Sequence, residues 1–454
     1  MLLCLLFAVS AWTMVAAAPV YYLLWFDTED YVEPAADDAA LRLALDLEKM
    51  GVRATFKVVG EKARVLEARG RKDVITALSR HDIGYHTDNH SIPPAPSVYL
   101  RTMGLLEGAQ EFERREMPGV RDLQRVFGVI PSCYGQPGSS WGPQSNIALR
   151  RMGVPVYMDE GSHVTLNNQP FWYMGMLYVY GLGPNTVRAD LDDAGKLADA
   201  KKKFDASVAA LRAQGGGVIH TYYHPTEFVT TEFWDAVNFA KGRYTAPSDY
   251  RRPALRTKES SEQAYRLLYE FMKHVQASGV HIITGRQLTQ VLADPQGIVD
   301  VPEIRRQMAQ SIDIRGGHSA ADQLLAMLGF QPRYVDGPAQ RVESTVKRTS
   351  IDRDLWNRGK SAAIDYIERH KRLPSHVWFG GEHLSVGDFA ASLAGDDGGP
   401  SVAVRKGKLA FERHVSTEAQ KAFQWAIHPE GFQAPELHEM GRLQAWTLKP
   451  AQLR

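Results

Sequence analysis

The chain has 454 residues, with 53 Lys and Arg against 52 Asp and Glu, a formal net charge of +1 and 44% hydrophobic residues. That is ordinary globular composition, enough for one large domain and a smaller one. The balanced charge, with no basic run interleaved with aromatics, excludes a broad electrostatic interface with nucleic acid.

Residues 1–18, MLLCLLFAVSAWTMVAAA, are almost wholly apolar and end in small residues, the pattern of a secretory signal cleaved after Ala18. No Lys or Arg precedes the apolar run, and its length approaches a membrane span, so the alternative is an uncleaved anchor. The expected location is secreted, periplasmic or cell-envelope, with membrane contact only if the leader stays. Cys4 leaves with the leader, so Cys133 stands alone in the mature chain and no intramolecular disulfide is expected.

From residue 19 to 295 strands and helices alternate. Strand-like runs are Tyr21–Phe26, Ala54–Val59, Val154–Met158, Gly217–His220 and Val280–Thr284; helical spacing covers Asp37–Met50 and Glu262–Ser278. Such alternation predicts βα units closing on a parallel sheet or barrel, with functional residues at the C-terminal ends of strands. Residues 228–258 lack periodicity, and a loop of that size inside a compact domain points to function or disorder. Residues 296–325 read as a helical linker. Residues 326–454 read as a small α+β C-terminal domain. Its predicted parts are the helix Ala362–His370, a hairpin Val377–Leu384 around Gly380-Gly381, and the helix Val386–Ala394 capped by Ser385.

Three segments concentrate chemistry. Asp27-Thr28-Glu29-Asp30 follows the first strand, and strand alternation turns Asp27 and Glu29 to one face. His86 and His90 lie four residues apart in Ile83-Gly84-Tyr85-His86-Thr87-Asp88-Asn89-His90, a spacing that joins them on a helical turn or a tight loop. His224 follows the strand at 217–220, in His224-Pro225-Thr226-Glu227. Two imidazoles and a carboxylate suffice for a divalent ion with open positions, and a late histidine can protonate a leaving amine.

Taken together and in order, these segments resemble the polysaccharide deacetylase family, also called NodB-homology or carbohydrate esterase family 4. Ala54-Thr55-Phe56-Lys57-Val58-Val59-Gly60 is similar to the family's second strand, with Lys57 in place of an aromatic, and Asp159 sits where a later aspartate often stands. The resemblance implies a distorted (β/α) barrel and a metal-dependent hydrolase that removes N-acetyl groups from a polysaccharide. Asp27 is then the base and His224 the acid. Glu29, His86 and His90 hold Zn²⁺ or another divalent transition metal, with Asp30 the alternative to Glu29. Alternation along the strand favours Glu29.

One departure matters. The family's third motif carries an arginine that orients the base, but Cys133-Tyr134-Gly135-Gln136-Pro137-Gly138-Ser139-Ser140-Trp141 has none. Either another residue supplies that cation or Asp27 keeps a higher pKa, and the alternative function is a non-catalytic glycan-binding protein on the same fold. Trp141 and Trp234, both in loop-like context, are the expected sugar-packing aromatics. The segment Tyr366–Trp378, with Gly380-Gly381 and Asp388-Phe389, loosely resembles a pseudomurein-binding type of cell-wall repeat. It implies either a wall-tethering module or a packing cap on the barrel.

Overall fold

The computed structural model describes residues 18–454, apart from 296, 298 and the side chains of 419 and 420. The expected leader, save Ala18, therefore falls outside the described residues. Among the described residues no helix is long and apolar enough to cross a membrane.

Nine strands carry the barrel: β1 Val20–Thr28, β2 Thr55–Val58, β3 Asp82–Tyr85, β4 Cys133–Tyr134, β5 Val156–Asp159, β6 Phe171–Tyr173, β7 Met176–Tyr180, β8 Gly217–Tyr223 and β9 His281–Ile283. They belong to one curled sheet in the order β6-β7-β5-β4-β3-β2-β1-β8, with β9 also paired to β1. All neighbours along β7-β5-β4-β3-β2-β1-β8 are parallel, and β6 runs antiparallel to β7. This is the expected distorted (β/α) barrel.

The run Val20–Phe26 is apolar throughout because both its faces are buried, as parallel strands demand. Tyr22, Leu24 and Phe26 pack outward in the main core with Leu43 and Leu47 of the helix Ala35–Lys49 and with Leu268, Phe271 and Met272 of the helix Lys258–Ala277. Leu23 and Trp25 point into the barrel, where Cys133, Val156, Met158, Leu177, Val179, Val218 and Ile283 fill the lower interior. Each such side chain contributes roughly 1.5–3 kcal/mol by leaving water. Asp27 is the next inward position after Trp25, so the interior turns polar at the strands' C-terminal ends. The helix Lys258–Ala277 starts earlier than its periodicity predicts, because the Thr257 side chain accepts from the Ser260 N–H at its N-terminus.

The C-terminal hairpin pairs His376–Phe379 with Glu382–Ser385, and Ser385 Oγ accepts from the Asp388 N–H at 3.1 Å. Strand pairing crosses the expected divisions near residues 295 and 325. Lys449–Pro450 adds antiparallel to β6, and Gln452–Leu453 pairs with Leu292–Ala293. Two-residue strands carry no periodicity of their own, so local sequence pattern does not reveal that the chain's end returns to the barrel.

Candidate active site

Register builds the polar end of the barrel. Asp27 stands opposite Lys57 on β2, and Lys57 opposite Gly84 on β3. The Lys57 side chain therefore projects inward beside Asp27 and has no solvent-exposed surface. Its Nζ lies 2.8 Å from Asp27 Oδ1 and 3.3 Å from Asp159 Oδ2, and donates to the Met158 carbonyl at 2.9 Å. Glycine makes room for it: a Cβ at Gly84 would lie 2.8 Å from Lys57 Cγ, and one at Gly135 would collide with Nζ.

Lys57 supplies the cation missing from the third motif. Burial alone would raise the Asp27 pKa, but Lys57, with His86 and His224, holds it below its ordinary value. Asp159 shares the same ammonium, and there burial prevails, pushing its pKa up to about 7. Gln136 plays no such part. Its Oε1 accepts from Tyr157 Oη at 2.8 Å, and its amide faces Gly138 O and Tyr180 Oη.

His86 and His90 sit on a tight loop rather than a helical turn. Thr87 and His90 take positive φ, at 67° and 52°, and Thr87 Oγ1 accepts from the His90 N–H at 3.0 Å. Buried Glu116 supports the loop, accepting from the Asp88 N–H at 2.8 Å and from Tyr85 Oη at 2.5 Å. The loop brings both Nε2 atoms onto Glu29 Oε2, at 3.1 Å from His86 and 2.9 Å from His90. One ligand atom from each of the three residues lies within 4.8 Å of the other two.

The proton inventory at His86 tests whether a cation fits there. His86 Nδ1 is 3.1 Å from the Gly135 carbonyl, which only accepts, so Nδ1 carries the hydrogen. Burial holds the His86 pKa down, keeping the ring neutral. Nε2 then presents a lone pair to Glu29, which stays ionised because His90 and His224 outweigh its burial. A lone pair facing a carboxylate in a buried site is repulsive unless a cation lies between them. Burial lowers the His90 pKa, but Glu29, 2.9 Å from its Nε2, outweighs burial and raises it. The three residues fit a divalent ion.

Asp30 is not part of this set. Its Oδ1 accepts from the N–H groups of Val32 and Glu33, and its Oδ2 from Thr226 Oγ1 at 2.8 Å, which staples the loop after β1 to the His224 loop. His224 Nδ1 is 2.5 Å from Glu227 Oε1, and Arg188 pairs with the other Glu227 oxygen. His224 Nε2 points at the site, 3.8 Å from Asp27 Oδ2 and 4.0 Å from Glu29 Oε2. Burial lowers the His224 pKa, but Glu29, Glu227 and Asp27 outweigh it and raise it to about 9. Asp27, Glu29, His86, His90 and His224 all line one cavity of about 470 Å³.

The expected sugar-packing tryptophans are corrected by their burial. Trp141 has no exposed surface and stacks on His163 at 5.1 Å between centroids, inside the junction with the C-terminal unit. Trp234 is equally buried, and its indole N–H donates to Glu29 Oε1 at 3.0 Å, leaving Oε2 to the histidines. Trp234 opens the short helix Trp234–Phe239, and both rings turn inward, so neither offers a face to a ligand. Trp234→Phe keeps the packing and removes this charged hydrogen bond. It is expected to weaken Zn²⁺ affinity about 10- to 100-fold, read by competition with a chromogenic chelator. Unchanged affinity would show that the indole does not hold Glu29.

No protein-family model matches this chain, and no curated protein sequence matches it. Solved structures to which it is similar include a polysaccharide deacetylase described as putative, from Mycobacterium smegmatis, at 17% identity and a TM-score of 0.40 over 60% of this chain and 90% of that one. A family 4 acetyl xylan esterase from Clostridium thermocellum, in complex with a cobalt ion, matches at 15% identity and 0.31 over 60% and 90% of the two chains. A CE4 family pseudoenzyme from Bacillus anthracis matches at 10% and 0.29 over 59% and 64%.

Proposed function

We propose that this protein is a metal-dependent hydrolase that removes N-acetyl groups from an extracytoplasmic polysaccharide. The observation that carries the reading is the convergence of the His86 and His90 Nε2 atoms on ionised Glu29, beside an Asp27 held ionised by buried Lys57. A divalent ion held by Glu29, His86 and His90 supplies Lewis acidity toward an acetamide carbonyl and makes water acidic at neutral pH.

The chain's own groups supply the proton transfers. Asp27, held ionised and with Oδ2 facing His224 Nε2 across the site at 3.8 Å, accepts a proton from the attacking water. Lys57 fixes that carboxylate from below and keeps it in the basic form. His224 carries a proton on Nε2 at neutral pH, because Nδ1–H donates to the Glu227 carboxylate and the surrounding carboxylates raise the ring's pKa. From Nε2 it donates to the departing amine nitrogen, so that amine and acetate leave with protons balanced. The absence of a third-motif arginine, which favoured a non-catalytic glycan binder, is answered by Lys57.

The test is acetate release by the Zn²⁺-loaded protein from chitin oligosaccharides and peptidoglycan. Release from at least one is expected. Binding of these glycans with no acetate released from any would support the glycan-binder reading instead.

A further inference from the structure

We propose that Trp425 is a platform for the sugar ring next to the one bearing the reacting acetamide, which makes the C-terminal unit part of the substrate site. The inference rests on the deacetylase reading above and deepens it. The cavity that holds Asp27, Glu29 and the histidines is also walled by Lys421, Ala422, Gln424 and Trp425, from a segment that returns to the barrel mouth far downstream.

Trp425 is built to be held still with a face left free. Its backbone N–H donates to Ser139 Oγ at 3.1 Å, and its indole N–H to Asp235 Oδ2 at 2.6 Å. The ring lies so close over Gly138 that any Cβ there would strike it. With its polar atom satisfied inside the protein, the half-buried ring presents apolar surface to the cavity. Phe233 meets Trp425 edge-on at 5.4 Å and His224 edge-on at 4.9 Å, so ring packing links the platform to the proposed acid.

A pyranose with equatorial substituents presents axial C–H groups on its faces, and these pack on an aromatic ring. Exposed Gln424 and Lys421 beside the ring offer hydrogen bonds to hydroxyl groups. This chemistry fits a β-linked N-acetylhexosamine oligomer. Trp425 fixed in advance loses little freedom on binding.

Asp235 gives the same residue a second possible role. Its Oδ2 also accepts from Ser91 Oγ at 3.3 Å, and Ser91 Oγ lies 2.5 Å from His90 Nδ1. Two variants separate the roles: Trp425→Phe keeps a ring but loses the bond to Asp235, whereas Trp425→Ala loses both. With full-length Zn²⁺-loaded protein, we compare kcat/KM for acetate release from chitopentaose with kcat/KM for 4-nitrophenyl acetate. The ratio is expected to fall about tenfold or more in Trp425→Ala and by less than about threefold in Trp425→Phe. An equal fall in both variants, or no fall in Trp425→Ala, overturns the platform. If the wild type releases no acetate from chitopentaose or from peptidoglycan, the deacetylase reading fails, and chitopentaose binding by calorimetry decides. Weaker binding by Trp425→Ala then sustains the platform, and unchanged binding rejects it.

Discussion

Dialysed wild-type protein is expected to retain close to one equivalent of Zn²⁺, and the His86→Ala/His90→Ala protein to retain none. In the wild type, two imidazole nitrogens and an ionised carboxylate meet inside the barrel, at 2.9 and 3.1 Å across the Glu29 oxygen. Replacing both histidines leaves Glu29 as the one ligand of the three, and one carboxylate does not hold a divalent ion against dialysis. Melting adds an independent reading. Zn²⁺ at about a thousand times its dissociation constant stabilises the native state by about 4 kcal/mol, so the wild-type Tm should rise with added Zn²⁺ and that of the double variant should not. Unchanged metal content in the double variant would place the metal elsewhere.

Lys57→Met is expected to lower kcat/KM about 100-fold and to move the acid limb of its pH profile upward. Lys57 is the buried cation between Asp27 and Asp159. Its removal leaves two carboxylates in a low-dielectric interior with no counter-charge, and both then favour the protonated form. A protonated Asp27 accepts no proton, so more alkaline solution is needed to recover the base. The sign follows from the shift itself. Asp27 is held low by Lys57 in the folded protein, so losing Lys57 raises its pKa and the activity appears at higher pH. Breaking a buried pair also costs about 3–5 kcal/mol of stability, to be read as a lowered denaturation midpoint. Full activity with an unmoved acid limb would show that Asp27 does not depend on Lys57.

Much of the site was legible in the order of short segments. Asp27, Glu29, His86, His90 and His224 are scattered over some 200 residues, yet each lies at or beyond the C-terminal end of a strand, and the parallel sheet gathers strand ends at one rim. Lys57 was also visible, as a lone charge in Ala54–Val59, an otherwise apolar strand. What the pattern does not show is its partner, because register sets Asp27 opposite it across two strands. The tryptophans mislead for a related reason. Loop context suggests exposure for Trp141 and Trp234, but the C-terminal segment packs over the first, and the second turns inward to hold Glu29. Trp425, which does line the cavity along with Tyr222, has no local signal linking it to a barrel far upstream. The strand β4 escapes a periodicity reading because two residues are too few to alternate.

The account's central claim is that Asp27 is the base of a metal-dependent deacetylation. It is tested most directly by acetate release from an N-acetylated glycan by Zn²⁺-loaded Asp27→Asn protein beside the wild type. Asparagine preserves the shape beside Lys57 and cannot take a proton. The account predicts a loss of about 10²- to 10⁴-fold in rate with Zn²⁺ still bound. Acetate release at the wild-type rate by a metal-loaded Asp27→Asn protein would contradict it.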